Sequence, residues 1–170
     1  MLSRLVADVR RNHALEHATV SLLLAKLGPD LRLVGRATGD GFFIYGNVPA
    51  DALGECAKEG LARLKRGEAF WAVTPLCGTN LATAGVLAAL STMVAIGGDH
   101  RRDKVPNAIF AGIVAVTIAQ PLGRMIQRYV TTSPDLADTE IVAVERRGNG
   151  GYFKVRTRRE PGGAIPALVA

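Results

Sequence analysis

The chain has 170 residues, 48% of them hydrophobic and 5% aromatic, and 21 Lys and Arg against 15 Asp and Glu give a formal net charge of +6. That length supports one modest water-facing domain, and two cysteines, Cys56 and Cys77, are too few for a disulfide framework. A basic balance suits nucleic acid or an anionic membrane face, but no basic cluster is interleaved with the aromatics of a base-stacking platform, so no nucleic-acid partner is expected.

The N-terminus lacks the apolar core and small-residue cleavage site of a signal peptide, so export of the N-terminal part is not expected. Residues 3–27 carry a helical pattern stopped by Gly28-Pro29. Residues 31–37 and 42–46 read as strands joined by Thr38-Gly39-Asp40-Gly41, a β-hairpin loop. A second helix is expected over 50–66, with Leu53, Cys56, Ala57, Gly60, Leu61 and Leu64 along one side. Residues 69–74 read as a short strand ended by Pro75, and Cys77-Gly78-Thr79-Asn80 leads into the next helix. Trp71 fits either an interfacial anchor or ordinary core.

Residues 79–98 and 105–123 are runs of 20 and 19 residues without an Asp, Glu, Lys or Arg. A spanning helix needs roughly 20 apolar residues to cross about 30 Å of hydrocarbon, so the pair predicts a transmembrane hairpin. Gly85 with Ala89, Ala108 with Gly112, and Ala111, Ala115 and Ala119 have the small-residue spacing of closely packed membrane helices. Arg63, Lys65, Arg66, Arg124 and Arg128 flank the outer ends and Arg101, Arg102 and Lys104 the connector, where His100 reads as a solvated loop residue. That balance favours both termini in the cytoplasm.

Beyond the hairpin, residues 139–145 and 152–158 alternate as strands around a Gly148-Asn149-Gly150-Gly151 turn. A lone two-stranded ribbon buries too little to be stable, so both hairpins are expected in one small mixed or antiparallel sheet covered by two amphipathic helices. The expected fold is α+β, interrupted by the transmembrane hairpin. Its parts are 1–78, the hairpin at 79–129, a completing β-hairpin at 130–159 and a flexible tail at 160–170.

The chemistry-bearing string is Arg10-Arg11-Asn12-His13-Ala14-Leu15-Glu16-His17-Ala18-Thr19. At 100° per residue, His13, Glu16 and His17 share the apolar stripe of Leu5, Val9, Val20 and Leu24, while Arg4, Asp8, Arg11 and Lys26 point elsewhere. Burying two imidazoles and a carboxylate is costly unless each finds a partner. One solution is a metal such as Zn²⁺, held by His13 and His17 from consecutive turns. Cys77 is a candidate third ligand, Glu55 or Glu59 a further carboxylate, and His-x-x-Glu-His matches the inverted zincin pattern with Glu16 as the catalytic base. Another solution is a hydrogen-bonded network in which Glu16 fixes an imidazole tautomer and the cluster caps loop backbone, and a third places the trio partly solvated at a membrane surface. Cys77 also fits a buried thiol in a strand-to-helix turn.

The Arg-Asn-His-Ala-Leu-Glu-His-Ala-Thr run, the Cys77-Gly78-Thr79-Asn80 turn and the Thr131-Thr132-Ser133-Pro134-Asp135 segment together resemble an uncharacterised bacterial membrane-protein family known mainly from photosynthetic and related lineages. The resemblance implies a membrane location and carries over no catalytic role. The expected function is that of a small integral membrane protein of the bacterial cytoplasmic membrane, an accessory or structural subunit of a larger assembly docking through its Ala/Gly-rich hairpin. Its expected partners are membrane lipid and other membrane subunits. The competing expectation is a membrane-anchored metal-dependent hydrolase.

Overall fold

A computed structural model describes residues 2–97, 101–148 and 151–160 of the chain. His100, the Asn149-Gly150 centre of the second predicted turn and the predicted tail beyond Glu160 lie outside the described residues. The chain forms two compact units, with boundaries at Val73/Thr74 and Val130/Thr131.

The first unit is α+β. Helix α1 (Leu2–Leu27) ends at Gly28, whose φ of 102° needs a residue without Cβ and whose N–H caps the Leu24 carbonyl at 3.0 Å. Strands β1 (Leu33–Thr38) and β2 (Gly41–Gly46) form an antiparallel hairpin closed at Thr38 and Gly41. Helix α2 (Ala50–Lys65) buries the predicted side of Leu53, Cys56, Ala57, Gly60, Leu61 and Leu64. At Gly60 a Cβ would come within 3.1 Å of the Ala18 Cβ, so glycine lets α2 close onto α1.

Strands β3 (Thr139–Arg147) and β4 (Tyr152–Arg159) pair antiparallel, with an irregularity between Ile141 and Ala143. The sheet order is β1-β2-β4-β3, antiparallel throughout, so the two sequence-distant hairpins join at the central strands. The pairs Phe42↔Val155 and Ile44↔Phe153 put four apolar side chains on one face, all buried in the core with Leu15, Leu23 and Leu53.

Two expectations are corrected. Residues 69–74 are not a strand: Ala69–Ala72 is a 3₁₀ turn. Phe, Trp and Val favour strands through packing and pairing with neighbours, and among the described residues this segment pairs with neither outer strand of the sheet, β1 or β3. Trp71 packs partly buried against the core, donates to Glu68 Oε2 at 3.1 Å and lies beneath the Arg63 guanidinium, 4.8 Å from its ring centre. The stripe on α1 is also wrong as a single face. Leu5 is exposed, whereas every residue from Ala14 to Val20 is buried, as expected of a helix enclosed on several sides.

The second unit is a helical hairpin. Helices α3 (Gly78–Ile96) and α4 (Val105–Ile126) are joined through a 3₁₀ turn, Arg101–Lys104, and both are long and apolar enough to cross a membrane. They run antiparallel with small residues between them. Ala84, Ala108, Ala115 and Ala119 are buried, and Ser91 Oγ donates to the Ala111 carbonyl at 3.3 Å. Gly85 and Ala89 are exposed instead.

A buried amide clasp holds the base of this hairpin. Gln127 Nε2 donates to Asn80 Oδ1 at 2.8 Å, the Thr74 N–H donates to Gln127 Oε1 at 3.0 Å, and Asn80 Nδ2 donates to the Thr74 and Pro75 carbonyls at 3.2 and 3.0 Å. A Cβ at position 123 would overlap Asn80, so Gly123 makes the room for this clasp.

Candidate functional site

The polar string on α1 holds down the chain where it re-enters the first unit. Arg10 Nη2 donates to the Thr132 carbonyl at 3.1 Å, and the Ser133 N–H donates to the Arg10 carbonyl at 3.0 Å. Arg11 Nε donates to the Asp135 carbonyl at 2.8 Å. Asn12 donates to the Thr38 carbonyl at 2.8 Å and accepts from Thr157 Oγ1 at 2.6 Å, tying α1 to β1 and β4. Two strings far apart in sequence, from Arg10 and from Thr131, are therefore one interlocked feature.

His13 and His17 lie one helical turn apart and touch edge-on, ring centres 4.3 Å apart. His13 Nδ1 is 3.0 Å from the Thr131 carbonyl and His17 Nδ1 is 2.7 Å from the Ala72 carbonyl. A carbonyl only accepts, so Nδ1 is the donor in each ring and Nε2 is the nitrogen left to face the rest of the cluster. The tautomers are thus set by backbone, and the expectation that Glu16 sets one is corrected: its Oε2 is 3.9 Å from His13 Nε2, beyond hydrogen-bonding range. The expected contact with loop backbone is present, and the 3₁₀ turn leaves the Ala72 carbonyl free to take it.

Glu16 is 7% exposed, and burial pushes its carboxyl from the ordinary 4.5 up to about 7, with His13 opposing. Its side chain lies over Gly35 of β1, where a Cβ would overlap the carboxylate. Gly35 is a functional position with a signal in the sequence that the reading of motifs alone misses, since a glycine inside a strand marks close approach. Gly35→Ala is expected to destabilise the protein by about 2 kcal/mol through overpacking. A second change, Glu16→Ala, should recover most of that loss in thermal unfolding of the detergent-solubilised chain.

Among the described residues, His17 Nε2 is fully buried and has no hydrogen-bond partner. Glu55 and Glu59, the further carboxylate candidates, are engaged elsewhere. Glu55 is ion-paired with Lys26 and Glu59 with Arg63 on the exposed side of α2. Cys77 belongs to the second unit, where its buried Sγ caps α3 by accepting from the Thr79 N–H at 3.4 Å, outside any disulfide. The arrangement on α1 brings two backbone-anchored imidazoles into edge contact beside a buried carboxylate. Such a set can hold a transition-metal ion or a polar network.

A family model described as a domain of unknown function (DUF6391) matches residues 8–144. An uncharacterised protein of Picosynechococcus sp. is 32% identical over 169 aligned residues, covering 88% of this chain and 79% of that relative. No solved structure matches. The matched span takes in the His13-Glu16-His17 cluster, Gly35 and both apolar helices, and the chain belongs to the DUF6391 family.

Proposed function

We propose that this chain is a small integral membrane protein of the bacterial cytoplasmic membrane, an accessory or structural subunit of a larger membrane assembly. In this reading α3 and α4 span the bilayer, and the α+β unit and both termini face the cytoplasm. The observation that carries it is the exposure of the apolar helices: only 11% and 17% of their apolar windows are buried. Core helices of a soluble protein are mostly covered, and an exposed apolar surface of this extent needs lipid or a partner. Val86, Leu90, Phe110, Ile113 and Ile118 are all more than half exposed. Arg63, Lys65, Arg66, Arg124 and Arg128 outside the hairpin support the orientation. The exposed Gly85 and Ala89 support close docking of another membrane helix.

Membrane fractionation followed by native separation in mild detergent tests the reading. The chain should resist a high-salt wash, require detergent for release, and migrate with larger membrane components. Release by salt overturns the spanning hairpin; a solitary species in mild detergent overturns the accessory role.

A second reading is a membrane-anchored metal-dependent hydrolase with His13 and His17 as ligands and Glu16 as general base. The backbone-pinned rings and the orphaned His17 Nε2 favour it. It requires an ion at that pair.

A further inference from the structure

We infer that Nε2 of His13 and Nε2 of His17 form a binding site for one divalent transition-metal ion of the Zn²⁺ class, with the Glu16 carboxylate as its charge-compensating neighbour. The inference goes beyond the membrane role and does not depend on it, because every group it uses belongs to the first unit. The hydrolase reading depends on it, but not the reverse.

Orientation of the donors comes first. Metal-bound histidines characteristically donate their other ring N–H to a carbonyl or carboxylate, which fixes the tautomer and ring plane. Here both rings do so, at 3.0 Å to Thr131 and 2.7 Å to Ala72, from two separate segments of the chain. A purely structural histidine needs one such anchor. Two such anchored rings on adjacent turns, in edge contact with each other, are the pre-organisation that a shared ligand requires.

Distance comes next. The ligand atoms of the two rings lie within 4.8 Å of one another. Two nitrogens bound to one tetrahedral Zn²⁺, each about 2.0–2.1 Å from it, are about 3.4 Å apart. That separation falls inside the 4.8 Å limit on the donors. Glu16 Oε2, 3.9 Å from His13 Nε2, is within similar reach.

Energetics supply the reason for an ion. His17 is 2% exposed, and its Nε2 lone pair is buried with no hydrogen-bond partner among the described residues. Leaving such a group unsatisfied costs about 1–3 kcal/mol. Glu16 adds a buried carboxylate whose room was made by the glycine at position 35. A divalent cation satisfies the orphaned nitrogen and compensates the carboxylate together. A polar network confined to these three side chains leaves the His17 nitrogen orphaned.

The test uses full-length protein solubilised in detergent, purified without a metal-affinity tag, stripped with chelator and titrated with Zn²⁺ or Co²⁺. One equivalent should bind per chain, and Co²⁺ should show the visible absorption of a low-coordinate nitrogen site. His13→Ala and His17→Ala should abolish that equivalent, and Glu16→Gln should weaken it at least tenfold. X-ray absorption at the zinc edge of the wild-type protein provides a readout independent of variant folding: two imidazole ligands are expected. Wild-type protein that binds no more metal than His17→Ala, or a zinc edge without imidazole scattering, overturns the inference. Stoichiometric metal without hydrolysis of any ester or peptide tried leaves the site standing and removes the hydrolase reading. Release of metal-loaded protein from membranes by salt alone leaves the site standing and removes the spanning hairpin.

Discussion

Arginine in place of Ile113 is expected to collapse the membrane-inserted fraction of the protein. Ile113 is 61% exposed near the middle of α4. On a biological insertion scale, isoleucine at a bilayer centre is favourable by about 0.3–0.6 kcal/mol and arginine unfavourable by about 2.5–3.5 kcal/mol. The difference, about 3–4 kcal/mol, corresponds to a factor of a few hundred in the insertion equilibrium. In water the result reverses: an exposed isoleucine changed to arginine alters stability by no more than about 0.5 kcal/mol and improves solubility. The control is Val34→Arg on β1, 66% exposed in the other unit, which should leave both insertion and stability unchanged. Fractionation of I113R and V34R beside the wild type, with an alkaline wash, reads the outcome. A soluble I113R protein with wild-type expression and thermal stability would show that these helices meet water rather than lipid.

The features that the sequence made legible are those whose cause is local. Two uninterrupted apolar runs can hardly be anything but long helices, and the glycines at 39 and 41 mark the first strand turn before any pairing partner is known. Residues 69–74 failed for the opposite reason. Their strand propensity is real, but the segment pairs with neither outer strand of the sheet and coils into a 3₁₀ turn whose Ala72 carbonyl serves His17. At the candidate site the same division holds. The spacing of His13 and His17 is visible in sequence because helix geometry dictates it. What each ring leans on is not: the partner carbonyls lie 118 and 55 residues away. Gly35 reveals its purpose only when β1 lies across α1, and the run from Thr131 to Asp135 only when it is seen bound by Arg10, Arg11 and His13.

Stability of the metal-free protein should fall as pH rises from about 4.5 to 7, and Glu16→Gln should abolish that fall. Glu16 releases its proton near 4.5 in the unfolded chain and at about 7 in the folded one. Below pH 4.5 both states hold the proton and the group has no effect. Between these values the unfolded chain gains by ionising while the folded protein cannot, and stability is lost at up to 1.36 kcal/mol per pH unit. Above pH 7 the loss levels off at about 3 kcal/mol. The opposite trend comes from Asp40, held low by Lys154, and Asp138, held low by Arg159, which stabilise the fold only while ionised and act at more acidic pH. Subtracting the E16Q profile from the wild-type profile removes these contributions and leaves Glu16 alone. Denaturant unfolding of the detergent-solubilised protein in chelator, at pH 5 and pH 8, measures the difference. Equal wild-type and E16Q differences between the two pH values would show that Glu16 ionises in the folded state as readily as in the unfolded one, and that solvent reaches the carboxylate over Gly35.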